Sequence, residues 1–137
     1  MKNLIKLLLV SLIISLMTGC VPAEEKAEEQ YDIGRKLLAQ SHPKEALDAF
    51  EIGLEYIPDH ARLLYESGNC YMNFRDYVTA IDYYTKAVNS NPKYADAYAN
   101  RGQCWFYLND KDKSCADWMK ADSLGKPNLR DKIRTCK

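Results

Sequence analysis

Glycine and proline are scarce in this 137-residue chain, at six and five residues. A sandwich or barrel of many short strands needs far more turn residues than that. Long apolar runs are missing too. The most apolar stretch, residues 7–16, has ten positions, and a helix that crosses the hydrocarbon core needs roughly 20. No charge of one sign dominates, with 19 basic against 19 acidic side chains. Lys2 and Lys6 are the only charged groups in the first nineteen residues, so the remainder holds 17 basic and 19 acidic groups, a net of −2. That balance excludes the basic face with which a nucleic-acid binder displaces counterions.

The motifs of catalysis are also missing. The chain has no G-x-S-x-G, no phosphate-binding glycine loop and no H-E-x-x-H, each of which would place a nucleophile, a phosphate or a zinc ion. C-x-x-C is absent, and the only histidines, His42 and His60, fall in turns away from the cysteines. Neither a zinc site nor a c-type haem site is expected. Acids such as Glu45, Glu51 and Glu55 read as a solvated helix face. The sequence therefore points to no enzyme, no cofactor and no small-molecule substrate.

What is present begins with an address. Residues 1–6 are basic, residues 7–16 apolar, and Met17, Thr18, Gly19 and Cys20 follow. Basic, apolar, then small residues is the layout of a secretory signal. Gly19 and Cys20 resemble the bacterial lipobox, in which a small residue precedes an obligatory cysteine. Met17 stands where leucine is usual. The resemblance implies cleavage after Gly19, so that residues 1–19 are a signal peptide, and lipidation of Cys20. The alternative is an ordinary secreted protein. Several acyl chains would hold firmly, since each buried methylene adds about 0.8 kcal/mol. Val21, rather than aspartate, follows the cysteine, which by analogy with lipoprotein sorting in enteric bacteria implies the outer membrane of the cell envelope. Residues 20–26 read as a lipidated, polar tether.

The main signal is a repeat of period 34. Gly34, Gly68 and Gly102 are in register, as are Phe50, Tyr84 and Trp118. Ala46 and Ala80 match, with Ser114 in third place. Pro58 and Pro92 match, and Pro127 slips by one. The spacing and residue types resemble the tetratricopeptide repeat, in units 27–60, 61–94 and 95–128. An all-α solenoid of three helix-turn-helix units follows. The glycines and small residues would be close-approach points between paired helices, with the aromatic residues as fillers one turn on. Pro58 and Pro92 cannot continue a helix and end each second helix. Asn109 and Asp110 supply a turn and a cap, and Pro43 suits a first helical turn. Arg75 stands where glycine is common in the inter-helix turn. Gly53 replaces an alanine matched by Ala87 and Ala121, which predicts a weaker first repeat. Residues 129–137 would cap the last pair, as a solenoid end requires. The segment from Ser114 to Gly125, with a late cysteine at 136, also resembles the end of small repeat proteins of Bacteroidetes.

Beyond Cys20, four cysteines allow three pairings, and an exported domain permits disulfides. Cys70 and Cys104 occupy equivalent places on stacked helices, roughly 8–10 Å apart, too far for a bridge. They read as small core residues. Cys115 and Cys136 are symmetric about Gly125 and Lys126, so antiparallel helices would bring them level and a bridge would staple the cap. Cys104 with Cys115 is the other level pair.

The resemblance also implies where a partner sits. In this family the first helices line a concave surface that binds protein segments. Carried onto this chain, the protein-binding candidates are Tyr31, Arg35, Leu38, Tyr65, Asn69, Met72, Asn100, Gln103 and Phe106. Leu38, Met72 and Phe106 would form an apolar stripe. Asn69 and Asn100 would meet an extended peptide backbone. Some members grip a terminal carboxylate with cations beside asparagines. Tyr31, Glu66 and Asp96 stand in the cationic places here, which disfavours that clamp. Two functions are therefore expected as alternatives, a membrane-anchored adaptor or scaffold that binds a peptide, and an accessory subunit of an outer-membrane assembly or secretion complex.

Overall fold

The computed structural model describes residues 21–136. The signal segment and Cys20 lie outside the described residues. Within them, seven α-helices and no strand occur: α1 (Ala23–Ala39), α2 (Pro43–Tyr56), α3 (Ala61–Asn73), α4 (Tyr77–Ser90), α5 (Ala95–Tyr107), α6 (Lys111–Ser123) and α7 (Arg130–Arg134). They form three antiparallel hairpins, α1 with α2, α3 with α4 and α5 with α6, stacked in chain order and closed by α7. No described helix is long and apolar enough to cross a membrane. The expected tether is largely helical. α1 begins at Ala23, its Lys26 amide bonds the Pro22 carbonyl at 3.2 Å, and Ala27 is already fully buried. Alanine, glutamate and lysine are strong helix formers, and polarity alone did not distinguish a loop from an exposed helical turn.

The turn inside each hairpin is built by one device. The amides of His42, Asp76 and Asp110 donate to the carbonyls of Leu37, Tyr71 and Trp105 at 2.9, 3.0 and 2.9 Å. This closure satisfies the end of the first helix and puts one residue in the left-handed region. That residue is Ser41, Arg75 or Asn109, with φ of 64°, 64° and 60°. The Asp76 and Asp110 side chains then accept the Thr79 and Lys113 amides, both at 3.1 Å, and start the second helices. α2 has no such side-chain cap and begins on Pro43 instead, whose missing amide hydrogen removes one unpaired donor.

Packing within the hairpins follows the repeat. Phe50 and Tyr84 are fully buried and Trp118 is 2% exposed. Each fills the space left by a glycine. A β-carbon at Gly68 would lie 2.7 Å from Tyr84 Cε1, one at Gly102 would lie 2.8 Å from Trp118 Cδ1, and one at Gly34 would overlap the Phe50 ring. Ala46, Ala80 and Ser114 are all fully buried. Gly53 is not a weak point. A β-carbon there would press on Leu63 Cδ1 at 2.7 Å, so glycine makes room for the larger Leu63, while at the equivalent positions one repeat on Ala87 and Ala97 share one buried cluster.

Between hairpins, Leu63 and Ala97 are buried, as are Cys70 and Cys104, the latter two as free thiols. Their counterparts on α1 are Glu29 and Lys36, both exposed. The sequence thus makes the first hairpin its own polar end, as a solenoid requires. The other end is closed by Leu129 and Ile133 against Ala99, Trp118 and Ala121. A disulfide joins Cys115 to Cys136, with Cα atoms 5.7 Å apart. Arg101 pins three helices. It meets both Asp117 oxygens at 2.8 Å and donates to Thr85 Oγ1 at 3.1 Å. Glu51 is not on a solvated face. Its Oε1 accepts from the Tyr71 and Tyr83 hydroxyls at 3.3 and 3.2 Å, because the residue lies where α2 meets the next hairpin.

Candidate functional site

The first helices α1, α3 and α5 face one another along one side of the stack, and polar side chains cross between them. Arg35 donates to Glu66 at 2.9 Å. Arg62 and His60 both meet Glu28. Asn100 Nδ2 reaches Asn69 Oδ1 at 2.9 Å and the Tyr65 hydroxyl at 3.2 Å. At the far end Lys132 of α7 donates to Gln103 at 2.6 Å. The first helices α3 and α5 touch directly whereas no two second helices come as close, so the stack bends toward the first helices and this is its concave side.

The candidate residues divide by how much of each remains free. Asn69 is committed internally. Its amide donates to Glu66 at 3.0 Å, and its carbonyl oxygen accepts both the Tyr84 hydroxyl, at 2.7 Å, and Asn100. It therefore helps hold the groove floor, and its second amide hydrogen has no protein partner among the described residues. Tyr65 packs on Tyr84 and Tyr94, with ring centroids 5.9 and 4.8 Å away, and is half-buried. Burial pushes the Tyr65 and Tyr84 hydroxyls above their usual range, so both remain neutral, Tyr84 donating to Asn69 and Tyr65 accepting from Asn100. Met72 lies beneath, its sulfur 3.8 Å from the Tyr84 hydroxyl. Leu38 is half-buried against the cluster of Ala46, Phe50 and Leu63.

Other candidates stand freer. The Arg35 side chain is 57% exposed even while bound to Glu66. Its hydrogen bond to Glu66 raises its pKa further. The Tyr31 ring lies under the Arg62 guanidinium at 4.5 Å, with Phe50 behind it. Asn100 uses only its amide hydrogens, leaving its carbonyl oxygen without a protein partner among the described residues. Gln103 keeps its amide group after accepting from Lys132. Phe106 is 52% exposed, its ring 5.8 Å from Trp118. The expected stripe of Leu38, Met72 and Phe106 is thus graded, open only at Phe106.

Opposite charges are matched along most of this face. Burial pushes the Glu28 carboxyl up, but hydrogen bonds from Arg62 and His60 outweigh it and hold the group below its ordinary value. Lys126 pairs with Asp96, and that hydrogen bond holds its pKa up. Sequence reasoning missed two lysines that lie beyond α6, Lys126 in the turn and Lys132 on α7. A signal existed: the symmetry that levels Cys115 with Cys136 also levels Trp118 with Ile133, which sets Lys132 near the Trp118 ring. It also missed the Tyr84 hydroxyl, since spacing shows a filler and not its polar tip. Among the described residues no three histidine, cysteine, aspartate or glutamate side chains gather as a metal site.

Hairpins of this length, stacked at a fixed period over a concave face of first helices, define a helical-repeat solenoid. Residues 31–95 match the family model of the tetratricopeptide repeat, and the described residues as a whole have the fold of a tetratricopeptide-repeat solenoid. Among solved structures, the first such domain of Spaghetti (RPAP3), bound to the HSP90 peptide SRMEEVD, is 24% identical, with a TM-score of 0.78 over 82% of this chain and 90% of that one. The second domain of human RPAP3, in complex with the HSP70 peptide SGPTIEEVD, is 18% identical, with a TM-score of 0.77 over 83% and 97%. The Arabidopsis OM64 domain is 17% identical, with a TM-score of 0.79 over 84% and 97%. No curated protein matches the chain significantly.

Proposed function

We propose that this protein is a lipid-anchored interaction module of the bacterial cell envelope that binds a peptide or protein segment on its concave surface. The observation that carries the reading is the groove itself. A rigid polar floor of Tyr65, Asn69, Tyr84 and Glu66 supports freer groups at Arg35, Asn100, Gln103 and Phe106. The solved domains of the same fold that hold HSP90 and HSP70 peptides support it. The protein acts as an adaptor without catalysis. Its ligand is not a carboxylate-clamped peptide of that kind, because Glu66 and Asp96 would repel the terminal carboxylate. The anchor is lipid on Cys20 after removal of residues 1–19, in the outer membrane, in keeping with the resemblance to small lipoproteins of Bacteroidetes.

The groove is tested by crosslinking in native membranes, with recovery through a tag after Lys137. Arg35→Glu with Phe106→Ala should abolish partner recovery while leaving the protein folded; unchanged recovery removes the groove from the account. The anchor is tested separately, since Cys20→Ala should abolish incorporation of labelled palmitate. One feature favours the accessory-subunit alternative. Phe74, Val78, Tyr107 and Leu108 are exposed along the turn edge of the second and third hairpins, Val78 at 68%, and apolar patches of this sort mark interfaces. A single partner in fixed proportion, bound through that edge, would establish it.

A further inference from the structure

The groove ends at α7 in a cleft that the family resemblance does not account for. Two adjoining hollows of about 310 and 350 Å³ share Phe106, Trp118 and Thr135 as walls. They lie at the small end of ligand cavities, which run roughly 300–1,000 Å³. One wall is the half-exposed Phe106 ring, and Cys115, tied to Cys136, lies at the base. Such a space suits one large apolar side chain.

Charge at the cleft differs from charge elsewhere on the concave face. Arg35, Arg62 and Lys126 each meet a carboxylate, from Glu66, Glu28 and Asp96. Lys132 and Lys111 flank the cleft, and neither forms an ion pair among the described residues. The one acid lining it, Asp131, is turned to Arg134 at 3.2 Å. Lys132 is held in place over the Trp118 ring at 5.3 Å and by its hydrogen bond to Gln103. Burial lowers its pKa with no carboxylate to compensate. A fixed, partly desolvated ammonium without a counter-charge gains most from an incoming anion.

We propose that this cleft receives an acidic-apolar segment of a partner protein, its large apolar side chain entering between Phe106, Trp118 and Thr135 and a neighbouring carboxylate meeting Lys132 and Lys111. The inference rests on the groove-binding reading and gives its ligand a chemistry. It also sets the carboxylate at the cap end of the groove, away from Glu66 and Asp96.

The test presents the full chain, purified in mild detergent with its disulfide intact, to a random peptide display library. Enriched peptides should pair an acidic residue with a large apolar one. Their affinity should fall about tenfold or more on Phe106→Ala and on Lys111→Glu with Lys132→Glu, and the charge-reversed protein should select basic peptides in their place. Lys111 is exposed at the start of α6, so Lys111→Glu alone keeps the charge test valid if Lys132→Glu loosens the cap. Enriched peptides without acidic residues overturn the proposal. So does binding that both variants leave intact while Arg35→Glu abolishes it, a result that keeps the groove and removes the cleft. Failure to enrich any peptide removes the groove reading and the cleft together.

Discussion

Gly68→Ala tests the packing rule that builds every hairpin. Alanine is favoured over glycine in a helix interior by about 1 kcal/mol, so propensity alone predicts a more stable protein. The structure predicts the reverse. The new β-carbon would sit 2.7 Å from Tyr84 Cε1 and 3.1 Å from Cζ. That ring is fully buried, faces Tyr65 at 5.9 Å and is held through its hydroxyl to Asn69 at 2.7 Å, so it cannot swing aside. Overpacking costs about 1–3 kcal/mol, and loss of the Tyr84–Asn69 hydrogen bond adds about 1 kcal/mol. Less the propensity gain, the net loss is about 2 kcal/mol, or roughly 5–15 °C in melting temperature. Urea denaturation of Gly68→Ala, Tyr84→Leu and the double variant completes a cycle. With the ring gone, Gly68→Ala should be neutral or stabilising, a coupling of about 2–3 kcal/mol. Stabilisation by Gly68→Ala in the native background, or strict additivity, would refute the reasoning.

Other expectations follow from single residues. Arg75 holds a left-handed turn that costs an ordinary residue about 1–2 kcal/mol; Arg75→Gly should raise the unfolding free energy measured in urea by somewhat under about 1 kcal/mol after the entropy of the unfolded chain is counted. The Ser67 hydroxyl is buried without a partner among the described residues, so Ser67→Ala should stabilise by about 1 kcal/mol, and a loss would show that the hydroxyl has a partner after all. Burial pushes the Cys70 thiol up to about 11 and the Cys104 thiol up to about 12. Both are raised above their unfolded value, so the stability they lend is complete below about pH 9 and is lost as pH rises toward their folded values. Urea midpoints should therefore fall above pH 9. Alkylation followed by mass spectrometry should label neither thiol in the native protein at pH 8, both after unfolding without reduction, and Cys115 and Cys136 only after reduction.

The fold was legible because solenoid packing is periodic. Gly34, Gly68 and Gly102 stand opposite Phe50, Tyr84 and Trp118 for the reason their spacing suggests, and Arg75 lies where its turn demands a left-handed residue. What escaped was set by particular neighbours rather than by position in the repeat. Gly53 looked like a lost alanine until Leu63 was seen against it. Glu51 looked solvated, but two tyrosine hydroxyls from the next hairpin reach it. Asn69 reads as a ligand for peptide backbone because its place in the repeat faces the groove, yet Tyr84 and Asn100 occupy its carbonyl oxygen and Glu66 one of its two amide hydrogens. The lysines of the tail depend on how a non-repeating segment folds back, which no period encodes.

The most direct test of the account compares the two faces in living cells. A photocrosslinking amino acid is placed at Phe106, on the concave face, or at Asp82, exposed on the second helix α4, and crosslinked products are identified after irradiation. The account predicts a defined protein partner crosslinked from position 106 and none from position 82. Crosslinks from position 82 with none from 106 would contradict it and assign binding to the outer helices.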